Sequence, residues 1–219
     1  MKTALITGGT RGIGQAIAQN LSKDHIVITV GRSSGADEQG DLLDDKFRDH
    51  LINKYCPDVF VNNAALLSKN LQTMMQMNGV VAVELLMKFY EKMSSGTIIN
   101  LSSISAYKTN MVKEPDIRIA YATAKKYLRD ASIALSASKN KNVRVMCLSP
   151  GATHTSMLKL ITSYEPVLDH YDNYQWNTSV CWLRPQEVAS TVRWMLDLPP
   201  WATVQELVLD NHYSQAINF

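Results

Sequence analysis

The chain alternates short, β-branched, almost continuously apolar runs with segments of helical length, and few architectures accept that alternation. Thr3–Thr7, Ile26–Val30, Val59–Asn62, Thr97–Leu101, Val143–Leu148 and Leu207–Leu209 read as strands. Runs without a polar face are what strands of a parallel sheet buried on both sides look like. Between them, Ile13–Ser22, Asp44–Lys54, Leu71–Met93, Arg118–Lys139 and Pro185–Leu196 read as helices. That order calls for right-handed βαβ crossovers, so the chain is expected to form an α/β fold with a doubly wound, mostly parallel sheet. No repeat, low-complexity tract or linker divides the 219 residues, which suit one domain spanning 1–219.

Charge excludes some functions. Lys and Arg number 22 against 20 Asp and Glu, a formal charge of +2, and the signs are interspersed. Such a balance gives no footprint for nucleic acid or an anionic membrane and points to small-molecule chemistry. Cys56, Cys147 and Cys181 are odd in number and lack CxxC spacing, so they read as small buried hydrophobes, with neither a disulfide framework nor a metal site. The apolar part of MKTALITGG is too short for a signal peptide and no run reaches membrane-spanning length, so a cytoplasmic protein is expected.

Thr7-Gly8-Gly9-Thr10-Arg11-Gly12-Ile13-Gly14 follows the first strand and opens a helix. Glycine lets the backbone approach a pyrophosphate, and a helix N-terminus offers free N–H donors and positive dipole to an anion. The second strand ends in Gly31-Arg32-Ser33-Ser34, with no carboxylate for a ribose 2′-hydroxyl. Arg32 can pair with a 2′-phosphate, Ser33 and Ser34 can donate to it, and Arg11 lies in the neighbouring turn, which points to NADP(H) rather than NAD.

Tyr121-Ala122-Thr123-Ala124-Lys125 lies early in a helix, and a spacing of four puts Tyr121 and Lys125 on one face. An ammonium beside a phenol is expected to lower a pKa whose reference is about 10. A tyrosine tuned that way can give a proton to a carbonyl oxygen receiving a hydride, or take one from an alcohol losing it. The spacing says little alone; it gains meaning from Ser102-Ser103 at the C-terminal end of the preceding strand, where open α/β sheets bind ligands. A serine there hydrogen-bonds the same substrate oxygen or caps the strand end.

Together these segments resemble the short-chain dehydrogenase/reductase family, in a compact NADP-preferring form with a Rossmann-type fold. The resemblance runs from Lys2 to about Met157 and, weakly, through Arg184–Val192. It rests on TGGTRGIG (7–14), Asp41, NNAA (62–65), Asn78 within MNGVV, NLSS (100–103), YATAK (121–125) and SPGATHT (149–155). It implies Tyr121 as general acid/base, with Lys125 lowering its pKa and binding the nicotinamide ribose. It implies Ser103, second of its pair, as the serine that polarises the carbonyl. Asn78 would hold a water that relays protons from Lys125, although an asparagine in a helix can equally be structural. Gly8, Thr10, Arg11, Gly12, Ile13 and Gly14 would meet the phosphates, with Arg32, Ser33 and Ser34 on the 2′-phosphate. Asp41 would accept from the adenine amino group beside Leu42, while Asn62, Asn63 and Ala64 organise the sheet end. Pro150, Gly151, Thr153 and Thr155 would complete the nicotinamide side, Thr155 at the carboxamide.

Several features depart from the family pattern. Gly31–Asp41 is too short and too rich in Gly and Ser for a crossover helix and another long strand. NNAA stands for the commoner NNAG, so the backbone at Ala65 must keep ordinary φ and ψ. Lys113-Glu114-Pro115-Asp116 lengthens the interval between Ser103 and Tyr121, and the C-terminus lacks the usual DGG. Residues 152–183, with Tyr164, Tyr171, Tyr174, Trp176 and Trp182, read as a substrate lid. Those aromatics suit an apolar ketone or aldehyde, and suit packing or a subunit interface as well. His154 reads as incidental. A homodimer or homotetramer through the helices near Leu71 and Arg118 is implied by the resemblance. The reading that results is a reductase of a small carbonyl or alcohol substrate; a dinucleotide-binding sensor without chemistry and a lyase or epimerase stand as alternatives.

Overall fold

Strands that are apolar on both faces are satisfied only between two layers of helices, and the chain is built that way. The computed structural model describes residues 1–107, 115–138, 142–157 and 182–211. In chain order these form β1 (Lys2–Thr7), α1 (Gly12–Leu21), β2 (His25–Gly31), β3 (Glu38–Gln39), α2 (Asp45–Lys54) and β4 (Val59–Asn62). Then come α3 (Leu71–Met75), a π-helical turn (Gln76–Val81), α4 (Ala82–Lys92), β5 (Ser95–Leu101), a 3-10 turn (Ile104–Ala106), α5 (Pro115–Ser136), β6 (Asn142–Pro150), α6 (Pro185–Leu196) and β7 (Glu206–Leu209). The strands pair in parallel, in the order β3-β2-β1-β4-β5-β6-β7. This is the doubly wound parallel sheet that the alternation predicts.

Successive residues of each strand point to opposite faces, so neighbours in sequence enter different cores. Leu5, Phe60 and Ile98 pack with Leu85, Leu86 and Phe89 of α4, Leu51 of α2 and Leu128 of α5. Ile6, Val61 and Ile99 pack with Ile17 and Leu21 of α1 and Val188, Val192 and Met195 of α6. Each fully buried large side chain contributes about 1.5–3 kcal/mol. Among the described residues no helix is long and apolar enough to cross a membrane.

The elements differ from the sequence reading in two places. The helix predicted over Leu71–Met93 is not uniformly α: Gln76–Val81 is a π turn, and Asn78 within it is fully buried. Its side-chain nitrogen donates to Leu66 O (2.6 Å) and its oxygen accepts from Leu66 N (2.7 Å), a tertiary tie that periodicity cannot reveal. Asp44 caps α2 instead of belonging to it, its carboxylate accepting from Lys46 N at 3.0 Å. As its length and composition imply, Gly31–Asp41 holds no crossover helix and no long strand, only the two residues of β3. Of the segment expected to form a lid, Tyr164, Tyr171, Tyr174 and Trp176 lie outside the described residues, as do Lys113 and Glu114 of the insertion.

Those two residues end the sheet on a carboxylate. Glu38 is 9% exposed and accepts from Lys54 Nζ (2.6 Å), from the Tyr55 hydroxyl and from His50 Nε2 (3.2 Å), all on α2 or just after it. The Lys54 hydrogen bond first, then that of Tyr55, hold the Glu38 carboxyl down from 4.5 to about 2. A group depressed in the folded state stabilises above its unfolded pKa and loses that contribution as pH falls through the folded one. Glu38→Gln is therefore expected to lower the denaturation midpoint at pH 7, by about 1 kcal/mol after solvent screening at the sheet edge. The gap to wild type should close between pH 4.5 and about 2 in paired guanidinium titrations.

Candidate active site

A cavity of about 660 Å³ opens at the C-terminal ends of the strands, where the order reverses between β1 and β4. Two hydrogen-bond systems stitch that reversal. The Thr7 hydroxyl accepts from Asn63 N and Ala64 N, both at 3.0 Å, and the Asn63 amide donates to Thr7 O at 2.9 Å. One strand further, the buried Asn62 amide donates to Ala82 O (2.8 Å) and to Asn100 Oδ1 (3.0 Å). Thr7 and Asn100 are structural members of the site that the sequence reading missed; a hydroxyl just before a glycine turn was the available signal.

The glycine turn is shaped by contact as well as by φ. Gly12 has φ +56, and a Cβ on it would sit 3.2 Å from Thr155 Cγ2. A Cβ on Gly14 would lie 2.1 Å from Gly8 O, so α1 can approach the end of β1 only without a side chain there. Arg11, the N-cap residue of α1, makes no capping bond, which leaves the first N–H groups of the helix open to an anion. Gly8, Thr10, Arg11, Gly12, Ile13 and Gly14 all line the cavity.

At the far end, Arg32, Ser33, Asp41 and Leu42 line it; Ser34 does not. Ser33 Oγ donates to Thr10 Oγ1 at 2.8 Å, joining the two loops expected to hold phosphates. Arg32 lies 3.8 Å from Asp41, with side chains 62% and 45% exposed, a pair too solvated to hold either group firmly. Asp41 Oδ1 accepts from Leu43 N at 3.0 Å. On the opposite wall are Asn63, Ala64, Pro150 and Thr155, whereas Gly151 and Thr153 lie behind the lining. Gly151 is there because a Cβ would meet Asp210 Oδ1 at 2.2 Å, and Thr153 pairs with Leu183 in a β-bridge. No described non-glycine residue has positive φ, and Ala65 keeps ordinary backbone geometry. His154 is not among the lining residues.

Tyr121, Lys125 and Ser102 line the near end. Ser102 Oγ donates to Lys125 O at 2.9 Å and is committed there. Ser103 is not among the lining residues; its hydroxyl caps the 3-10 turn, accepting from Ser105 N at 3.1 Å. Lys125, 2% exposed, donates from Nζ to Leu101 O at 2.7 Å, and Nζ stands 6.0 Å from the Tyr121 ring centroid. Asn78 lies behind the lining with its side chain taken by Leu66.

The acid–base balance corrects one expectation. Burial pushes the Tyr121 phenol up to about 12, only partly offset by the nearby Ser103 hydroxyl and with no lowering contribution from Lys125 in this geometry. Nζ is turned onto Leu101 O, and its positive charge is itself disfavoured: burial brings the Lys125 ammonium down to about 8. The donor set fits a nicotinamide dinucleotide along the cavity: open helix N–H groups and glycine backbone for phosphates at one end, a phenol and an ammonium at the other.

The family described as enoyl-(acyl carrier protein) reductase matches residues 56–214. The 3-oxoacyl-(acyl-carrier-protein) reductase of Buchnera aphidicola subsp. Schizaphis graminum is 28% identical over 198 residues, 75% of this chain and 78% of that one. Serine 3-dehydrogenase of Rhizobium radiobacter is 28% identical, covering 94% of this chain and 92% of its own. Among solved structures, an alcohol dehydrogenase from Thermococcus sibiricus complexed with 5-hydroxy-NADP superposes with TM-score 0.73 at 25% identity, over 95% of this chain and 96% of that one.

Gly14→Ala is expected to destabilise the fold by about 1–3 kcal/mol, because the clash is with a backbone carbonyl that cannot yield. Thermal unfolding would read it as a drop in midpoint, with loss of the stabilisation expected from an added nicotinamide dinucleotide.

Proposed function

The chain belongs to the short-chain dehydrogenase/reductase family of oxidoreductases, and from that premise we propose that it transfers a hydride from NADPH to a small carbonyl compound. The observation that carries this reading is the meeting of the β1 glycine turn, Tyr121 and Lys125 in one cavity at the C-terminal ends of the strands. Preference for NADPH rests on Arg11, Arg32 and Ser33 at the rim beside β2, where no cavity-lining residue of the strand tip is acidic. Met87 of α4 with Ile119 and Tyr127 of α5, all exposed, supply apolar surface for a homodimer or homotetramer.

When bound, the nicotinamide supplies the hydride that reaches the carbonyl carbon. Tyr121 gives its hydroxyl proton to the carbonyl oxygen as the electron pair of the C=O bond moves onto that oxygen. The Ser103 hydroxyl would donate a hydrogen bond to the same oxygen, and the Lys125 ammonium, on swinging from Leu101 O toward Tyr121, would offset the charge left on the phenolate. A phenol held near 12 stays protonated at neutral pH, the form from which a proton can pass to the carbonyl oxygen. With its side chain bonded to Leu66, Asn78 would hold a relay water through its main chain at the π turn.

Titration with NADPH and NADH, followed by a panel of ketones and aldehydes read at the nicotinamide absorbance, tests the reading. NADPH should bind more tightly, and Tyr121→Phe should keep that binding while turnover falls roughly a hundredfold to ten-thousandfold. Tight binding with no turnover in wild type would make the chain a sensor, and binding of neither nucleotide would overturn the proposal. Carbonyl reduction should also weaken as pH rises through about 8, where Lys125 loses its proton. A kcat/KM profile flat to pH 10 would remove Lys125 as the charge that matters.

A further inference from the structure

One wall of the cavity is held from outside it. Asp41 and Leu42, which line the far end, belong to the short connection between β3 and α2. Leu42 is 5% exposed, and its carbonyl accepts from Arg48 Nη1 at 2.8 Å, although Arg48 itself does not line the cavity. Nη2 of the same guanidinium donates to Asp45 (2.6 Å) and to Glu84 of α4 (2.9 Å). The Arg48 side chain is 6% exposed, Glu84 32% and Asp45 83%, so Glu84 is the counter-charge with the least solvent around it.

A buried guanidinium is a poor way to pack two helices, since an apolar side chain of similar volume would join α2 to α4 at no cost in desolvation. What an apolar residue cannot do is hold a carbonyl. The peptide between Leu42 and Leu43 is planar, so drawing its C=O toward Arg48 turns its N–H the other way. That N–H is the one that donates to Asp41 Oδ1 at 3.0 Å. Glu84, Arg48, the peptide plane and the Asp41 carboxylate thus form one chain of contacts that ends inside the cavity.

We propose that Arg48, anchored by Glu84, is a positioning residue for the adenosine half of the cofactor, fixing Asp41 and Leu42 through the peptide plane between Leu42 and Leu43. The inference rests on the reading that the cavity takes NADP(H) with Asp41 and Leu42 beside the adenine. It concerns affinity at the adenosine end and leaves the chemistry at Tyr121 alone.

The probe is 2′,5′-ADP, which carries the adenosine half without the nicotinamide, titrated calorimetrically into wild type, Glu84→Gln, Arg48→Met and Asp45→Asn. Glu84→Gln is expected to weaken 2′,5′-ADP and NADPH about tenfold and to raise the KM for NADPH while kcat at saturation changes less than twofold. Arg48→Met should weaken both nucleotides further, and Asp45→Asn, on the solvated partner, should stay within twofold of wild type. Where Arg48→Met does not fold, Glu84→Gln, which keeps the guanidinium, decides. A Glu84→Gln protein with wild-type circular dichroism that binds 2′,5′-ADP as wild type does overturns the inference alone, as does a fall in kcat with affinity unchanged. A wild-type chain that binds neither 2′,5′-ADP nor NADPH overturns the nucleotide reading, and this inference with it.

Discussion

Everything at the site depends on how the chain closes the point where its strand order reverses. β1 has neighbours on both sides that continue in opposite directions through the fold, and the crevice this leaves is held to its width by the Thr7 hydroxyl and the Asn63 amide. Each bond contributes only about 1 kcal/mol, but their partners are main-chain groups that would otherwise be left without partners at a strand end. With β1 and β4 locked together, the glycine turn has one place to go, and α1 must descend directly onto Gly8. The absence of a side chain at Gly14 is then a requirement of packing before it is a requirement of binding.

The reacting end works against the interests of folding. An ammonium at 2% exposure and a phenol pushed up to about 12 are both groups that water would solvate better. Among the described residues the Leu101 carbonyl accepts from Lys125 Nζ, and Ser102 reinforces the same helix turn, its hydroxyl donating to Lys125 O. No carboxylate accepts from Lys125 among the described residues, so its charge remains available to whatever negative charge develops nearby. Cys147, beneath it on β6, is inert for the same reason that Lys125 is poised: burial raises the thiol to about 11.

Much of this was legible in the sequence because it follows from local rules. The strands Val59–Asn62 and Thr97–Leu101 announce themselves by β-branched apolar character, and Tyr121 and Lys125 by a spacing that a helix converts into a shared face. What escaped reading was tertiary in origin. The π turn is tied to a bond between Asn78 and Leu66 across 12 residues. The raised phenol follows from how deeply the finished fold buries Tyr121 while Nζ of Lys125 turns to Leu101 O, and the link from Glu84 to Arg48 spans 36 residues and two elements. None of these partners is implied by a motif, since each depends on which residues the finished fold brings within 3 Å.

The brevity of β3 has a consequence beyond the nucleotide. An open sheet presents a row of unpaired N–H and C=O groups along its outermost strand, a template on which another chain can add. Here the rim beside β2 is only Glu38 and Gln39, too short to give a neighbour a secure register. Its first residue turns a carboxylate inward onto Lys54, Tyr55 and His50, a charge that an added strand would have to bury. The shortened connection thereby also caps this edge of the sheet, and discourages it from growing into the next molecule.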